Sequence, residues 1–188
     1  MATQRHVKKV KTARKTAARA NRPAARSPRM TRTGKAPAAR PTTTAEDYEG
    51  VRQVLSRYCF ALDRGDLGTL SALFHRQADF SVSFENGQKH TGRDTIHSWY
   101  ARFFQQRPNQ YQHMRHKIYE PLVTVSGNTA TSSTYFDSDS KDANGQVQVL
   151  AGRYDDSLVK EGGQWFFKER TITVLYNYSP GSGQEGMR

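Results

Sequence analysis

Two histidines three positions apart, His113 and His116 in the run QHMRH, carry the side chains of this sequence best matched to proton transfer near neutral pH. On a regular strand residues 113 and 116 point to opposite faces, so at most one of them enters an interior unless a bulge intervenes. The same geometry denies them a shared metal, and no third ligand is apparent, so no metal site is expected. Tyr58 and Asp63 stand five residues apart, which sets their side chains about 140° apart around a helix. Tyr58 falls on an apolar stripe, where a phenol is either an amphipathic filler or a donor to a bound oxygen. Asp63 falls at the C-terminal end of the same helix, where a carboxylate meets the negative end of the macrodipole and needs compensation. That compensation is either an ion pair with Arg57, Arg64 or a late-strand arginine, or a histidine that Asp63 orients. Thr131, Ser133, Tyr135 and Asp137 share one strand face, a row of hydroxyls ending in a carboxylate that either lines a wet pocket or faces solvent.

The elements that must position these groups are legible from periodicity. Thr44 and Asp47 have capping-box spacing, and Val51, Val54, Leu55, Tyr58, Cys59 and Leu62 recur at helical intervals, predicting a helix over 45–62. Gly65 ends it, and Asp66 caps a short helix with Leu67, Leu70, Leu73 and Phe74 on its apolar face. Phe80, Val82 and Phe84 alternate with polar residues, Asn86-Gly87 is a hairpin turn, and 88–91 returns as a strand. Thr91 and Asp94 repeat the capping-box spacing and open a third helix through Ile96, Trp99, Tyr100, Phe103 and Phe104, with Pro108 beyond its end. From Tyr111 onward, long strands over 111–125, 129–138, 146–160 and 165–177 alternate with turn signals, which predicts an antiparallel meander. Helices first and a long curved sheet after them give an α+β fold whose sheet wraps the first helix. The aromatic residues Phe80, Phe84, Trp99, Tyr100, Phe103 and Phe104 are core, and some of them wall a pocket.

The formal net charge of +12 belongs to one end of the chain. Residues 1–45 hold 13 lysines and arginines and no carboxylate, which leaves 16 cations against 17 acids in the remainder. With four prolines and no Phe, Tyr or Trp, that segment buries too little apolar area to offset the entropy of ordering, so 1–45 reads as a disordered basic tail. It is a solubility tail, a ligand for nucleic acid or another polyanion, or a cleaved organelle presequence. The domain then spans 46–178, with a loose end at 179–188. No apolar run approaches the roughly 18 residues of a membrane span. Cys59 is the single cysteine, consistent with a reducing, cytoplasmic location.

In this order the residues of the body resemble the nuclear transport factor 2-like superfamily, and within it the SnoaL-like group that includes polyketide cyclases, scytalone dehydratase and bile acid 7α-dehydratase. The markers are RYCFALDRGDLGTLSALF, the GRD at Gly92–Asp94, QHMRH, VSGNTATSSTYF, GRYDDSLVK and the late Trp165. The resemblance covers about 48–176. It implies a cone of helices against a curved antiparallel sheet, homodimerisation, and cofactor-free elimination, isomerisation or cyclisation of a small apolar cyclic substrate. Tyr58 and Asp63 match the tyrosine and aspartate that bile acid 7α-dehydratase carries in its first helix. His113 falls where the dehydratases place their general base or acid, with His116 as the rival. Asp137, or Asp139, lies near the bile acid enzyme's catalytic aspartate. The resemblance therefore implies Tyr58, Asp63, His113 and Asp137 as catalytic, and Phe80, Phe84, Trp99, His116, Tyr135 and Arg153 as substrate contacts. Arg153 and Tyr154 stand near scytalone dehydratase's strand asparagine, which this sequence lacks. The hairpin base of ketosteroid isomerase has only Ser81 and Ser83 in its place, unless Glu85 replaces it. The other reading is a non-catalytic binding or assembly domain that its tail delivers to a polyanion.

Overall fold

A computed structural model describes residues 43–180; the basic segment 1–42 and the last eight residues lie outside it. Helix α1 spans Ala45–Arg64 and starts as the spacing predicts, with reciprocal Thr44 and Asp47 capping bonds. Lys160 Nζ donates to Asp47 Oδ1 at 2.6 Å, tying this helix start to the sheet. The helix ends at Gly65, whose φ of 71° is the left-handed conformation that glycine adopts without strain. Val51, Val54, Leu55, Tyr58, Cys59 and Leu62 are all buried, the stripe read from the sequence. Each fully buried aliphatic or aromatic side chain on it contributes roughly 1.5–3 kcal/mol.

Asp66 caps the short α2 (Leu67–Ala72) through the amide of Thr69. Phe74, expected on that helix, instead opens strand β1 (Phe74–Val82). The strand stops before Phe84, which lies in a 3-10 turn over Ser83–Glu85, and the chain reverses through left-handed Asn86 and Gly87 into β2 (Lys89–Thr91). Helix α3 (Arg93–Gln110) differs from expectation at both ends. Its cap is Gly92 with no side-chain bond, because Thr91 Oγ1 donates to Asp79 instead, and its last turn runs through Pro108.

The single long strand expected over 111–125 is two, β3 (Gln112–Ile118) and β4 (Leu122–Ser126). Pro121 has no amide hydrogen for a ladder and separates them. Strands β5 (Thr129–Lys141), β6 (Val147–Glu161) and β7 (Gln164–Tyr178) form the expected antiparallel meander. The sheet order is β2-β1-β7-β6-β5-β3, with β4 also on β5. It is mixed, because β1 runs parallel to β7. The helices cover its concave face, and the core lies between them.

One glycine sets the shape of that concave face. A Cβ at Gly152 would stand 2.5 Å from Phe136 Cε1 and 2.6 Å from the Thr173 carbonyl oxygen. The missing side chain lets the Phe136 ring lie flat on Tyr154, with centroids 4.1 Å apart and planes 7° apart. Gly152→Ala is expected to destabilise the fold by about 1–3 kcal/mol through this overpacking, read as a lower thermal midpoint. A midpoint equal to the wild type would show that the strand relaxes freely there.

Candidate active site

A cavity of about 230 Å³ opens between α1, α3 and the concave sheet. Its wall is mostly apolar and aromatic, from Leu62, Val82, Trp99, Phe103, Met114, Phe136, Leu150 and Ile172. The lining residues with polar groups are Tyr58, Tyr100, Tyr111, Tyr154, His116, Ser138, Ser140, Gln148 and Asn177. No lysine or arginine lines it among the described residues.

His116, not His113, is the histidine of this cavity. The ladder between β3 and β5 shifts register between Gln112 and Arg115, and His113 sits in that irregularity with a φ of 51° and an exposed side chain. The bulge turns His113 outward and sets His116 opposite Ser138 on the concave face. His113, expected inside the pocket as the base, lies outside this cavity. The sequence carries no turn residue at 113 to announce a left-handed backbone, so strand periodicity alone could not choose between the two.

Asp63 reaches His116 from the last turn of α1. Its Oδ1 is 2.7 Å from His116 Nδ1, and its Oδ2 accepts the backbone N–H of His116 at 3.0 Å. An ionised carboxylate can only accept there, so Nδ1 carries a hydrogen, and the lone pair of the neutral imidazole then falls on Nε2. The compensation that Asp63 needed at the helix end comes from α3. Arg107 donates to the backbone oxygens of Leu62 and Asp63, satisfying two terminal carbonyls with a cation. Among the described residues the Asp63 carboxylate is held by His116, not by Arg57, Arg64 or a late-strand arginine.

Tyr58 is fully buried, and its hydroxyl lies 2.8 Å from that of Tyr100. Burial pushes the Tyr58 phenol up to about 12, against an opposing pull from Arg170 and the Tyr100 bond. Burial likewise holds Tyr100 well above the ordinary range, so both stay protonated at neutral pH; one donates to the other, and the second keeps its hydrogen for a further acceptor. Tyr100 is a site residue that sequence reasoning placed in the core. Its helical spacing from Ile96 and Phe104 marks a buried face, but nothing in the pattern says that its hydroxyl meets Tyr58.

The remaining candidates divide. Trp99 and Phe84 line the cavity, Phe84 at its rim with 65% exposure. Phe80 is fully buried and packs behind the wall on Trp99 and Tyr100 without reaching the cavity. Tyr135, Asp137 and Arg153, expected at the site, lie on the convex face of the sheet and do not line this cavity. Asp137 accepts from the Tyr119 hydroxyl at 2.7 Å, Arg153 pairs with Asp155 at 2.8 Å, and Tyr135 is 56% exposed. Asp139, the alternative to Asp137, is paired with Arg115 and Lys117. The inward row of β5 is Ala130, Ser132, Thr134, Phe136, Ser138 and Ser140. Both faces of this strand are rich in hydroxyls, so alternation gave no reason to prefer one, and a one-residue slip exchanges them entirely.

The rim is pinned by Glu85. Its Oε1 accepts from Trp99 Nε1 at 2.9 Å and its Oε2 lies 2.8 Å from His90 Nε2, fixing the turn that carries Phe84. Burial alone would raise this carboxyl; the Trp99 and His90 bonds outweigh it and hold it below the ordinary 4.5. A depressed carboxylate contributes stability that is complete above 4.5 and lost as pH falls through the folded-state value. Acidification below 4.5 is therefore expected to loosen the turn and change tryptophan emission, and Glu85→Gln is expected to abolish that step. An identical acid transition in both proteins would remove Glu85 from the rim.

The SnoaL-like domain family matches residues 43–171, and the chain belongs to it. Solved structures share the fold. A provisionally named scytalone dehydratase from Novosphingobium aromaticivorans is 21% identical over 71% of this chain and 87% of its own, with a TM-score of 0.62. A protein from the same organism described as NTF2-like with a cystatin-like fold is 23% identical over 73% and 85%, with a TM-score of 0.58. The hexachlorocyclohexane dehydrochlorinase LinA, type 2, is 13% identical over 73% and 90%, with a TM-score of 0.63. No curated protein gives a significant match. Among the described residues no helix is long and apolar enough to cross a membrane.

Proposed function

We propose that this chain is a cofactor-independent acid–base enzyme that eliminates, isomerises or cyclises a small, neutral, cyclic substrate carrying a carbonyl. The observation that carries this reading is His116, bound to Asp63 behind it, in the wall of an apolar cavity that the hydrogen-bonded Tyr58 and Tyr100 also line. Asp63 fixes the tautomer, and His116 Nε2 takes a proton from the carbon beside the carbonyl. The electron pair moves onto the carbonyl oxygen, which the tyrosine hydroxyls hold by hydrogen bonds. The imidazolium then returns its proton, to a departing hydroxyl in an elimination or to another carbon in an isomerisation. The dry walls strengthen each of these interactions by excluding water. Structural neighbours described as a dehydratase and a dehydrochlorinase are consistent with this class of reaction.

The test needs no knowledge of the natural substrate. Incubated in deuterium oxide with a panel of neutral cyclic ketones, the protein is expected to exchange the hydrogens beside the carbonyl, read by proton NMR. A panel without catalysed exchange, although its ketones bind, would sink the acid–base reading and leave a binding module. Two accompanying proposals rest on other features. The exposed tyrosines Tyr119, Tyr135, Tyr176 and Tyr178 of the convex face support a homodimer through it, which light scattering reads directly. The 13 lysines and arginines of 1–45, a segment without a carboxylate, support polyanion binding, which should weaken steeply with salt and vanish when that segment is deleted.

A further inference from the structure

An enolate forming at the Tyr58–Tyr100 pair would place negative charge in a cavity whose described wall holds no lysine or arginine. A full positive charge lies one layer beneath. Arg170, on β7, is wholly buried, and its guanidinium carbon stands 3.9 Å from the ring centre of Tyr58, 4.0 Å from Phe167 and 4.3 Å from Tyr154. Asp156 holds one edge of it, Nε to Oδ1 at 2.7 Å and Nη2 to Oδ2 at 2.8 Å, and Ser132 shares Oδ2 at 3.2 Å. The third nitrogen, Nη1, has no hydrogen-bond partner among the described residues. A buried donor left without a partner is costly, and the guanidinium that carries it packs on the ring of Tyr58, a residue that lines the cavity.

We propose that Arg170 is a positioning residue for this site, and that its charge acts through the Tyr58 ring to strengthen the hydroxyl pair as a binding site for an oxyanion. The proposal rests on the reading of the cavity as an acid–base site and adds where its positive potential comes from. A cation on the face of a phenol draws electron density from the ring, which makes the O–H a stronger donor. The chain of influence runs from Arg170 to the Tyr58 ring, to the Tyr58 and Tyr100 hydroxyls, to the oxygen of the ligand. Asp156 balances the net charge of the pair and approaches the guanidinium from its Nε–Nη2 edge, while the guanidinium carbon stands over the Tyr58 ring. The asymmetry of the pair, not its sum, is what the hydroxyls sense.

The probes are toluene, phenol and 4-nitrophenol, with binding read by calorimetry at one pH. In the wild-type protein affinity should rise with the acidity of the phenol, since a more anionic oxygen gains more from the hydroxyl pair. The double variant Arg170→Met, Asp156→Leu removes both charges while keeping the volume, a replacement that buried ion pairs tolerate. It is expected to lose about tenfold in affinity for 4-nitrophenol while binding toluene unchanged, the size of a desolvated cation–π contribution. Should that variant not fold, Arg170→Gln with Asp156→Asn keeps a neutral polar pair and makes the same prediction. An unchanged dependence on phenol acidity in a folded variant overturns the proposal, and so does a wild-type protein that binds toluene but shows no preference for acidic phenols. Loss of affinity for all three probes alike would mean a merely structural role and also overturns it. The acid–base reading fails separately: without proton exchange on ketones but with the Arg170-dependent preference for phenols, the oxyanion site stands and the reaction falls.

Discussion

His116→Gln is expected to lower the rate of ketone proton exchange by about 10³-fold without unfolding the protein, because a positioned general base contributes roughly 10²–10⁴-fold. Glutamine can keep a donor toward Asp63 and much of the wall, and the backbone N–H of residue 116 still reaches Asp63 Oδ2, so the strand has little reason to move. What disappears is the Nε2 lone pair. Asp63→Asn should be inactivated less, since the imidazole survives while its enforced tautomer does not. His113→Gln should change neither rate nor fold, because that side chain stands in solvent on the bulge. Initial exchange rates set against circular dichroism and melting curves read all three. An undiminished rate in folded His116→Gln would place the chemistry elsewhere.

The sequence carried the frame of this site better than its details, for physical reasons that differ residue by residue. The buried stripe of α1 follows from a 3.6-residue period, and that stripe places Tyr58 inside and brings Asp63 to the helix end. The meander follows from turn residues at Gly127, Gly145 and Gly162, each with positive φ in the structure. The choice of histidine depended on one extra residue in β3, and a bulge at an ordinary histidine leaves no compositional trace. The face of β5 depended on Phe136 alone, since serine and threonine occupy both sides. Tyr100 and Arg170 could not be found from local pattern at all. The first needs the meeting of α1 with α3, and the second the pairing of β6 with β7 at Asp156 and Arg170. Long-range juxtaposition sets their chemistry, and periodicity does not encode it.

Asp156→Ala is expected to be the most damaging single substitution in the core. It leaves the Arg170 guanidinium at 0% exposure without the one ion-pair partner it has among the described residues, and Ser132 gives up its acceptor at the same time. Breaking a buried pair from one side costs about 3–5 kcal/mol, against a total stability of roughly 5–15 kcal/mol for a domain. The thermal midpoint should fall by on the order of 10 °C, measured by differential scanning calorimetry. A midpoint within a degree or two of the wild type would mean that water or a rearranged side chain reaches the cation. The double replacement Arg170→Met, Asp156→Leu should recover most of that loss, since desolvating two charges offsets much of what their attraction contributes. The comparison separates two reasons for having the pair. If an apolar substitute folds as well, stability does not account for a buried arginine with an unpartnered nitrogen among three aromatic rings, and the charge it holds beneath Tyr58 does.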